Sequence, residues 1–149
     1  MAKLISQEEL DSFRYRTIIP IRWSDFDRLG HINNAKYFTF LEQARINYFQ
    51  EVCQWPWGKY TMVIAHISMD YATPIWPGEQ PEVRIRLSRM GTKSFTLDNI
   101  IVSPATEEGL KLYAKASTVL VALDGTGENP IAVPEPMRSI LMEYDGIAS

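Results

Sequence analysis

The chain has 149 residues, of which 46% are hydrophobic and 22% charged, and its formal net charge is −3. This balance predicts one globular domain over residues 1–149, and the predicted strands and long helix described below give it a core from about residue 14 to 123. The negative charge argues against broad nucleic-acid binding, which needs a positive surface. One cysteine excludes an intramolecular disulfide, and no apolar run reaches the roughly 20 residues of a membrane span. We therefore expect a cytoplasmic protein with no membrane partner.

The chain begins with a polar stretch. Ser6 and Glu9 have the spacing of a capping box for one helical turn, although a frayed terminus fits as well. From Arg14 onward, alternation predicts a half-buried strand, one face of which carries Tyr15, Thr17, Ile19, Ile21 and Trp23. Pro20 cannot donate a ladder hydrogen bond, so we expect this strand at a sheet edge or with a bulge.

A long helix over about residues 35–52 is the central predicted element. Apolar residues recur at helical spacing at Tyr37, Leu41, Ala44 and Tyr48. Other faces of the same segment are also apolar, at Phe38, Phe40, Ile46 and Phe49. A helix that is apolar almost all round must be enclosed, which a sheet wrapped around it would achieve.

The rest of the chain is predicted to form mostly strands. Alternating or apolar runs predict four strands in a meander, over about residues 60–71, 82–90, 93–103 and 110–123. Turns are expected at Gly91-Thr92 and at Thr106 to Gly109, and a short amphipathic helix at about residues 135–145. One dominant helix among runs of strands predicts an α+β fold, an antiparallel sheet of about five strands around one long central helix.

The loop before the long helix is dense in polar residues. Two aspartates, a glycine, a histidine and two asparagines fall within residues 25–34. The loop brings Asp27 to the amino end of the helix, where unpaired backbone N–H groups face outward. A carboxylate at such an end can act on a carbonyl whose oxygen gains negative charge. The pattern therefore indicates acyl chemistry.

This loop also carries a family resemblance. The motif Trp-x-Asp-x-Asp-x-x-Gly-His-x-Asn-Asn-x-x-Tyr over residues 23–37, followed by Leu-Glu-Gln-Ala-Arg at 41–45, resembles the hotdog-fold thioesterases of the 4-hydroxybenzoyl-CoA thioesterase-like branch. Weaker similarity continues through Tyr-x-x-Pro at 71–74 and Arg-x-Gly-Thr-x-Ser at 89–94. The resemblance implies the hotdog fold and an enzyme that hydrolyses acyl-CoA to a carboxylic acid and coenzyme A. It also implies a homodimer with sites at the interface, often paired again into a tetramer.

The same resemblance suggests roles for three loop residues. Asp27 would be the general base or the nucleophile, and the sequence does not choose between them. The backbone N–H near Asn34 would form the oxyanion site. His31 would polarise the carbonyl or bind water, although a hydrogen-bonded structural histidine fits equally well. Taken alone, Asp27 would be explained as a turn residue, since aspartate is common in turns.

Four further residues of the motif are secondary candidates. Gly30 is expected to permit a backbone turn, and Asn33 or Asn34 to cap the helix. The resemblance places Gly30, Asn33 and Tyr37 near the substrate. Asp25 is expected to have a structural role, either as a hydrogen-bond acceptor in the loop or as the partner of Arg22 or Arg28. We expect it to support Asp27 and not to take part in catalysis.

Glu42 lies about two turns into the helix. Its default explanation is an i, i+3 ion pair with Arg45. Some related enzymes use a helix carboxylate as the base. Glu42 is therefore a candidate for a position next to the residues that contact the substrate, but we do not expect it to be catalytic.

A second candidate site lies in the hairpin over residues 89–94. Its positive charges and hydroxyls could bind the phosphates and pantetheine of coenzyme A, at Arg89, Gly91, Thr92, Lys93 and Ser94. Composition alone would explain this segment as a solvated hairpin end. The two histidines and one cysteine are too dispersed for a zinc site, and no cofactor is expected beyond the coenzyme A of the substrate.

Two other functions remain open. A hotdog enoyl hydratase or dehydratase shares the fold, but its histidine-containing motifs are not evident here. A non-catalytic module that binds acyl-CoA is the other alternative.

Overall fold

The computed structural model describes residues 3–104 and 109–148. Its regular elements are α1 (Gln7–Asp11), β1 (Tyr15–Ile18), α2 (Lys36–Cys53), β2 (Thr61–Tyr71), β3 (Glu82–Met90), β4 (Ser94–Val102), β5 (Leu112–Leu123) and α3 (Met137–Tyr144). The predicted elements are all present, with ends shifted by a few residues at most except in β1. The turn predicted at Thr106 to Gly109 falls, apart from Gly109, outside the described residues. No helix in the described part of the chain is long and apolar enough to cross a membrane.

The five strands form one antiparallel sheet in the order β1-β3-β4-β5-β2. The predicted α+β class is confirmed, but the predicted four-strand meander is wrong. Strands β3, β4 and β5 follow one another as a meander, whereas β2 lies at the far edge beside β5. The connection over residues 72–81 is too long for a hairpin turn and contains three prolines, so it carries the chain across to β3.

Strand β1 is shorter than predicted. It pairs with β3 from Tyr15 opposite Ile85 to Ile18 opposite Glu82, at the edge where Pro20 led us to expect it. Beyond Pro20 the chain leaves the sheet and makes a short 3-10 turn over Trp23–Asp25. Trp23 is therefore 86% exposed rather than part of the buried face.

Helix α2 crosses one face of the sheet and joins its two edge strands. The predicted stripe is fully buried, at Tyr37, Leu41, Ala44 and Tyr48. The helix ends at Gln54, which adopts the left-handed conformation with a φ of 49°. Complete enclosure was a wrong prediction for the single chain, because Phe38 is 39% and Ile46 45% exposed.

Two short helices complete the fold. Ser6 caps α1 by accepting the backbone N–H of Glu9, and α1 covers part of the outer sheet face through Leu10. Helix α3 is attached to the centre of the molecule through Asp145, whose carboxylate accepts the Tyr48 hydroxyl at 2.7 Å and the Leu87 N–H at 2.9 Å. The main core thus lies between the sheet and helices α2 and α3 on its inner face, while α1 covers a smaller cluster on the outer face.

Candidate functional site

The loop between β1 and α2 closes on itself as a small hairpin. Phe26 pairs with Ile32, and the backbone N–H of Asp27 donates to the His31 carbonyl at 3.0 Å. The N–H of Gly30 donates to the Asp27 carbonyl at 3.1 Å, which closes a tight turn. Gly30 has a φ of +87°, which residues with a Cβ rarely adopt. The turn expected at Gly30 is present.

Asp27 lies in this turn with a half-buried side chain. One carboxylate oxygen, Oδ1, accepts the backbone N–H of Leu29 at 2.8 Å. The other makes no hydrogen bond with the described residues. One oxygen of Asp27 is therefore available to a water molecule or a carbonyl carbon.

Asp25 has a different environment. It is only 1% exposed, and its carboxylate accepts the backbone N–H of Arg22 at 2.8 Å and lies 3.4 Å from the Arg22 guanidinium. The Asp25 carbonyl also accepts the backbone N–H of Asn33 at 3.0 Å. Asp25 thus holds the two ends of the loop together, with Arg22 rather than Arg28 as its partner.

The loop leads into the amino end of α2. The N-cap residue is Ala35, so neither asparagine occupies the predicted cap position. Instead, the Asn33 side chain accepts the Ala35 N–H at 2.9 Å, and the Asn33 carbonyl accepts the Lys36 N–H at 2.9 Å. The difference arises because residues 33–35 fold as an Asx turn before the helix begins.

Asn34 presents its backbone amide at this end. The Asn34 carbonyl accepts the Tyr71 hydroxyl at 2.9 Å, whereas its N–H donates to no described residue. The Tyr71 ring packs edge-on against Tyr37 at 5.0 Å, so the end of β2 supports the start of α2. An unengaged N–H at the positive end of a helix can stabilise an oxygen that gains negative charge.

A cavity of about 210 Å³ opens beside Asn34. Its lining consists of His31, Asn34, Tyr37, Tyr71, Ala72, Thr73 and Pro74. His31 lies with Nδ1 3.1 Å from the Ile32 carbonyl and its ring edge-on to Trp76 at 5.4 Å. Burial raises the pKa of Tyr37 to about 12, so its hydroxyl stays protonated at neutral pH. Asp27 is adjacent in the loop but does not line this cavity.

The candidate coenzyme hairpin lies at the other end of the sheet. The loop leaves β1 beside Glu82 at the start of β3, whereas the hairpin follows Met90 at its end, about 26 Å away at 3.3 Å per residue. The Gly91 N–H donates to the Ser94 carbonyl at 2.7 Å, and the Gly91 carbonyl accepts from Arg138 at 2.8 Å. One chain therefore does not bring its own hairpin to its own Asp27.

The predicted ion pair between Glu42 and Arg45 is absent. The two side chains are not within salt-bridge distance, because Arg45 is only 7% exposed while Glu42 is exposed at the helix surface. Nη1 of Arg45 has no hydrogen-bond partner among the described residues, and burial lowers the pKa of this guanidinium. The sequence analysis did not single out this buried charge, although it directly follows Ala44 of the buried stripe.

Arg45 lines a larger cavity of about 640 Å³ between α2 and β2. The other lining residues are Glu42, Ile46, Phe49, Trp57, Met62, Val63, Ile64 and Leu120. Among the described residues there is no group of three or more His, Cys, Asp or Glu that could hold a metal ion.

The geometry defines a class of protein. One long helix lies across a five-stranded antiparallel sheet, and a polar loop meets its amino end. This is the hotdog fold that the motif led us to expect. Comparison with known proteins then identifies the family. The sequence profile of the thioesterase-like superfamily matches residues 21–141, and the chain belongs to that family.

Individual relatives with similar sequences or structures support this family assignment. YsmA of Bacillus subtilis (strain 168) is 34% identical over 92 residues, which are 61% of this chain and 63% of that protein. The long-chain acyl-CoA thioesterase FadM of Escherichia coli (strain K12) is 26% identical over 85% of this chain and 96% of its own length. A thioesterase from Thermus thermophilus, crystallised with coenzyme A and zinc, has a TM-score of 0.76 at 32% identity, covering 91% of this chain and 98% of its own. The predicted family is confirmed.

Proposed function

We propose that this protein is an acyl-CoA thioesterase that hydrolyses the thioester to a carboxylic acid and free coenzyme A. The observation that carries the proposal is the N–H of Asn34 at the start of α2, which donates to no described residue, beside a loop whose Asp27 has one carboxylate oxygen that no described residue contacts. Family membership and the activity named for FadM and for the Thermus thermophilus enzyme support the same class.

Thioester hydrolysis needs few catalytic groups. A coenzyme A thiol has a pKa near that of cysteine, about 8.5, and leaves as a thiolate with little assistance. Hydrolysis therefore requires a nucleophile at the carbonyl carbon and a donor for the oxyanion. Asp27 would activate a water molecule or attack the carbonyl itself, and the Asn34 N–H would stabilise the negative oxygen.

The substrate carbonyl would lie near the cavity beside Asn34. His31 and Tyr37 line that cavity, and both side chains carry groups that can form hydrogen bonds. Because Tyr37 keeps its proton, it could donate to the substrate but not act as a base at neutral pH.

Coenzyme A would be held by a second copy of the chain. The distance of about 26 Å between the ends of β3 separates the hairpin from the loop within one protomer. A homodimer, alone or paired into a tetramer, would let the hairpin of one protomer approach the loop of the other. The exposed edge strand β2, with Val63 48% and Ile64 41% exposed, supports such pairing. We also infer a cytoplasmic location from the single cysteine.

The experiment is a thiol-release assay over acyl-CoA esters of short, medium, long and aromatic acyl groups. We expect turnover with at least one class, and saturation in each case where turnover occurs. Absence of thiol release with every ester would contradict the proposal.

One observation favours a second candidate, a module that binds acyl-CoA without cleaving it. Asp27 already accepts a hydrogen bond from the Leu29 N–H and does not line the cavity beside Asn34. Saturable binding of the same esters by calorimetry, with no thiol released, would support the module instead of the enzyme.

A further inference from the structure

The connection between β2 and β3, over residues 72–81, packs against the loop that precedes α2. Ile32 in the loop donates its N–H to the Ile75 carbonyl at 2.9 Å, and both residues are 0% exposed. A backbone hydrogen bond between buried residues opens less readily than one that is exposed to water. The loop is therefore fixed to the connection at this point.

Trp76, the next residue of the connection, borders the tight turn of the loop. Its ring lies edge-on to the His31 ring, with 5.4 Å between the two centroids. A Cβ at Gly30 would lie 3.9 Å from Cζ3 of Trp76, so the indole also contacts the region of the turn itself. Trp76 does not line the cavity beside Asn34, whereas His31 does. The indole would therefore influence a substrate in that cavity through His31 and the turn.

Glu79 fixes the backbone of Trp76. The Glu79 N–H donates to the Trp76 carbonyl at 3.1 Å, and one carboxylate oxygen of Glu79, Oε1, accepts the Trp76 N–H at 2.9 Å. Pro77 and Gly78 occupy the two positions between them, and the Gly78 φ of +90° matches the positive φ that a type II turn requires. One residue thus holds both polar groups of the Trp76 backbone.

The other carboxylate oxygen of Glu79 attaches this turn to β5. Oε2 accepts the Tyr113 hydroxyl at 2.5 Å and forms an ion pair with Nζ of Lys111. Burial raises the pKa of Tyr113, so its hydroxyl keeps the proton that it donates. Burial also opposes the charge on Glu79, but hydrogen bonds from Lys111 and Tyr113 lower the pKa of its carboxyl overall. Glu79 is therefore a charged residue that uses both oxygens to join the connection to the sheet.

We propose that Glu79 is a positioning residue, which acts through Trp76 to hold the turn that carries Asp27 and His31. This inference rests on the proposed thioesterase function, because it gives that support a role in placing the two groups for hydrolysis. A displacement of about 1 Å can lower a rate by about 100-fold, so a loop that carries a general base or nucleophile needs such support.

The first test measures hydrogen exchange in the loop, which does not depend on turnover. The reporters are the N–H groups of Asp27 and Ile32, which donate to the His31 and Ile75 carbonyls. In Glu79→Ala both should exchange at least about tenfold faster than in the wild type, whereas amides within β4 should keep their rates. Unchanged exchange at both reporters in a folded variant would overturn the inference. Equal acceleration in β4 would show only a general loss of stability and would overturn it as well.

The matched control is Asp98→Ala. The Asp98 side chain is 29% exposed, against 21% for Glu79, and it also pairs with a cation, Arg86, at 3.1 Å. It lies in β4 opposite Arg86 and does not belong to the connection. The two reporters should therefore exchange at the wild-type rate in Asp98→Ala. Acceleration equal to that in Glu79→Ala would mean that the loss of any such ion pair loosens the loop, which would contradict the assignment.

The second test measures kcat and KM with an ester that the wild type hydrolyses. Trp76→Ala should lower kcat by about tenfold or more and change KM by less than about twofold, since the indole does not line the cavity. Trp76→Phe keeps a ring beside His31 and should recover most of kcat. Wild-type kcat in a folded Trp76→Ala protein would overturn the inference. Faster exchange of the reporters in Glu79→Ala, with no thiol released from any ester by the wild type, would instead contradict only the proposed function.

Discussion

Two aspartates two positions apart have opposite environments in the loop. Asp25 is 1% exposed and accepts hydrogen bonds from Arg22, so its carboxylate is used entirely within the protein. Asp27 is half-buried and has one oxygen that no described residue contacts. The alternation of the sequence would place both side chains on one face, but the 3-10 turn over Trp23–Asp25 separates them. The structural role of Asp25 and the catalytic role proposed for Asp27 therefore fall on different residues of one short motif.

The Asp27→Asn variant tests the catalytic role. The amide can still accept the Leu29 N–H but can neither activate water nor attack a carbonyl, so kcat should fall by about 10²–10⁴-fold while the melting temperature changes little. The measurement is thiol release with any ester that the wild type hydrolyses.

Its matched control is Asp25→Asn. This change removes the charge from a buried position paired with Arg22, so it should lower the free energy of unfolding by about 1–3 kcal/mol. An Asp27→Asn protein with wild-type turnover would remove Asp27 from the mechanism.

Asp145 makes stability depend on pH. Burial raises the pKa of this carboxyl above its usual 3.8, although the Tyr48 hydroxyl and the Leu87 N–H oppose that shift. The folded chain therefore holds the proton more tightly than the unfolded chain. The stabilisation is fully present below pH 3.8 and is lost as pH rises through the raised pKa.

The Asp145→Asn variant stays neutral and keeps an acceptor for Tyr48 and Leu87. Chemical denaturation of both proteins from pH 4 to pH 7 measures the effect. We expect the wild type to lose stability relative to the variant over this range. A difference that is constant with pH would contradict the prediction.

The turn of the β3–β4 hairpin depends on the absence of a side chain at Gly91. A Cβ at this position would lie 2.9 Å from the Ser94 carbonyl oxygen, which is closer than real Cβ atoms approach. The same carbonyl accepts the Gly91 N–H at 2.7 Å, so neither partner can move without loss of that bond.

The Gly91→Ala variant should therefore lose about 1–2 kcal/mol of stability. Gly58→Ala is the matched control, since a Cβ there would meet nothing within 4 Å, and its stability should change by less than about 0.5 kcal/mol. Denaturation midpoints of the two variants provide the comparison. Equal midpoints would mean that the hairpin relaxes freely around the new methyl group.

The whole molecule has its two predicted sites at opposite ends of the sheet. The loop with Asp27 lies at the start of β3 and the hairpin with Lys93 at its end. Under the proposed function, a substrate that contacts both sites would need a second protomer. Edge strand β2, with its exposed Val63 and Ile64, offers a surface on which we propose that a second copy pairs.

A complementation experiment tests the shared site. Asp27→Asn and a doubly charge-reversed hairpin, Arg89→Glu with Lys93→Glu, should each be inactive. Mixed after reversible dissociation, they should recover about a quarter of wild-type activity, because half of the dimers are mixed and one of their two sites is intact. Light scattering would confirm the dimer, and a mixture that stays inactive while mixed dimers form would exclude a site shared in this way.

The sequence by itself determined the class of protein. Helical spacing from Tyr37 to Tyr48, alternation in β3 and the polar motif over residues 23–37 were sufficient for the long helix, an antiparallel sheet and the thioesterase family. These are local patterns, in which each residue's neighbours in the chain are also its neighbours in the element. The turn at Gly30 and the loop role of Asp25 could be predicted for the same reason.

Tertiary structure alone decided what depends on contacts between distant parts of the chain. It placed β2 at the far edge instead of beside β3, and it exposed Trp23. It also buried Arg45 without an ion pair to Glu42 and separated the hairpin from Asp27. Strand order, burial and cavities arise when elements pack, and a one-dimensional pattern records which residues are apolar but not which surface will cover them.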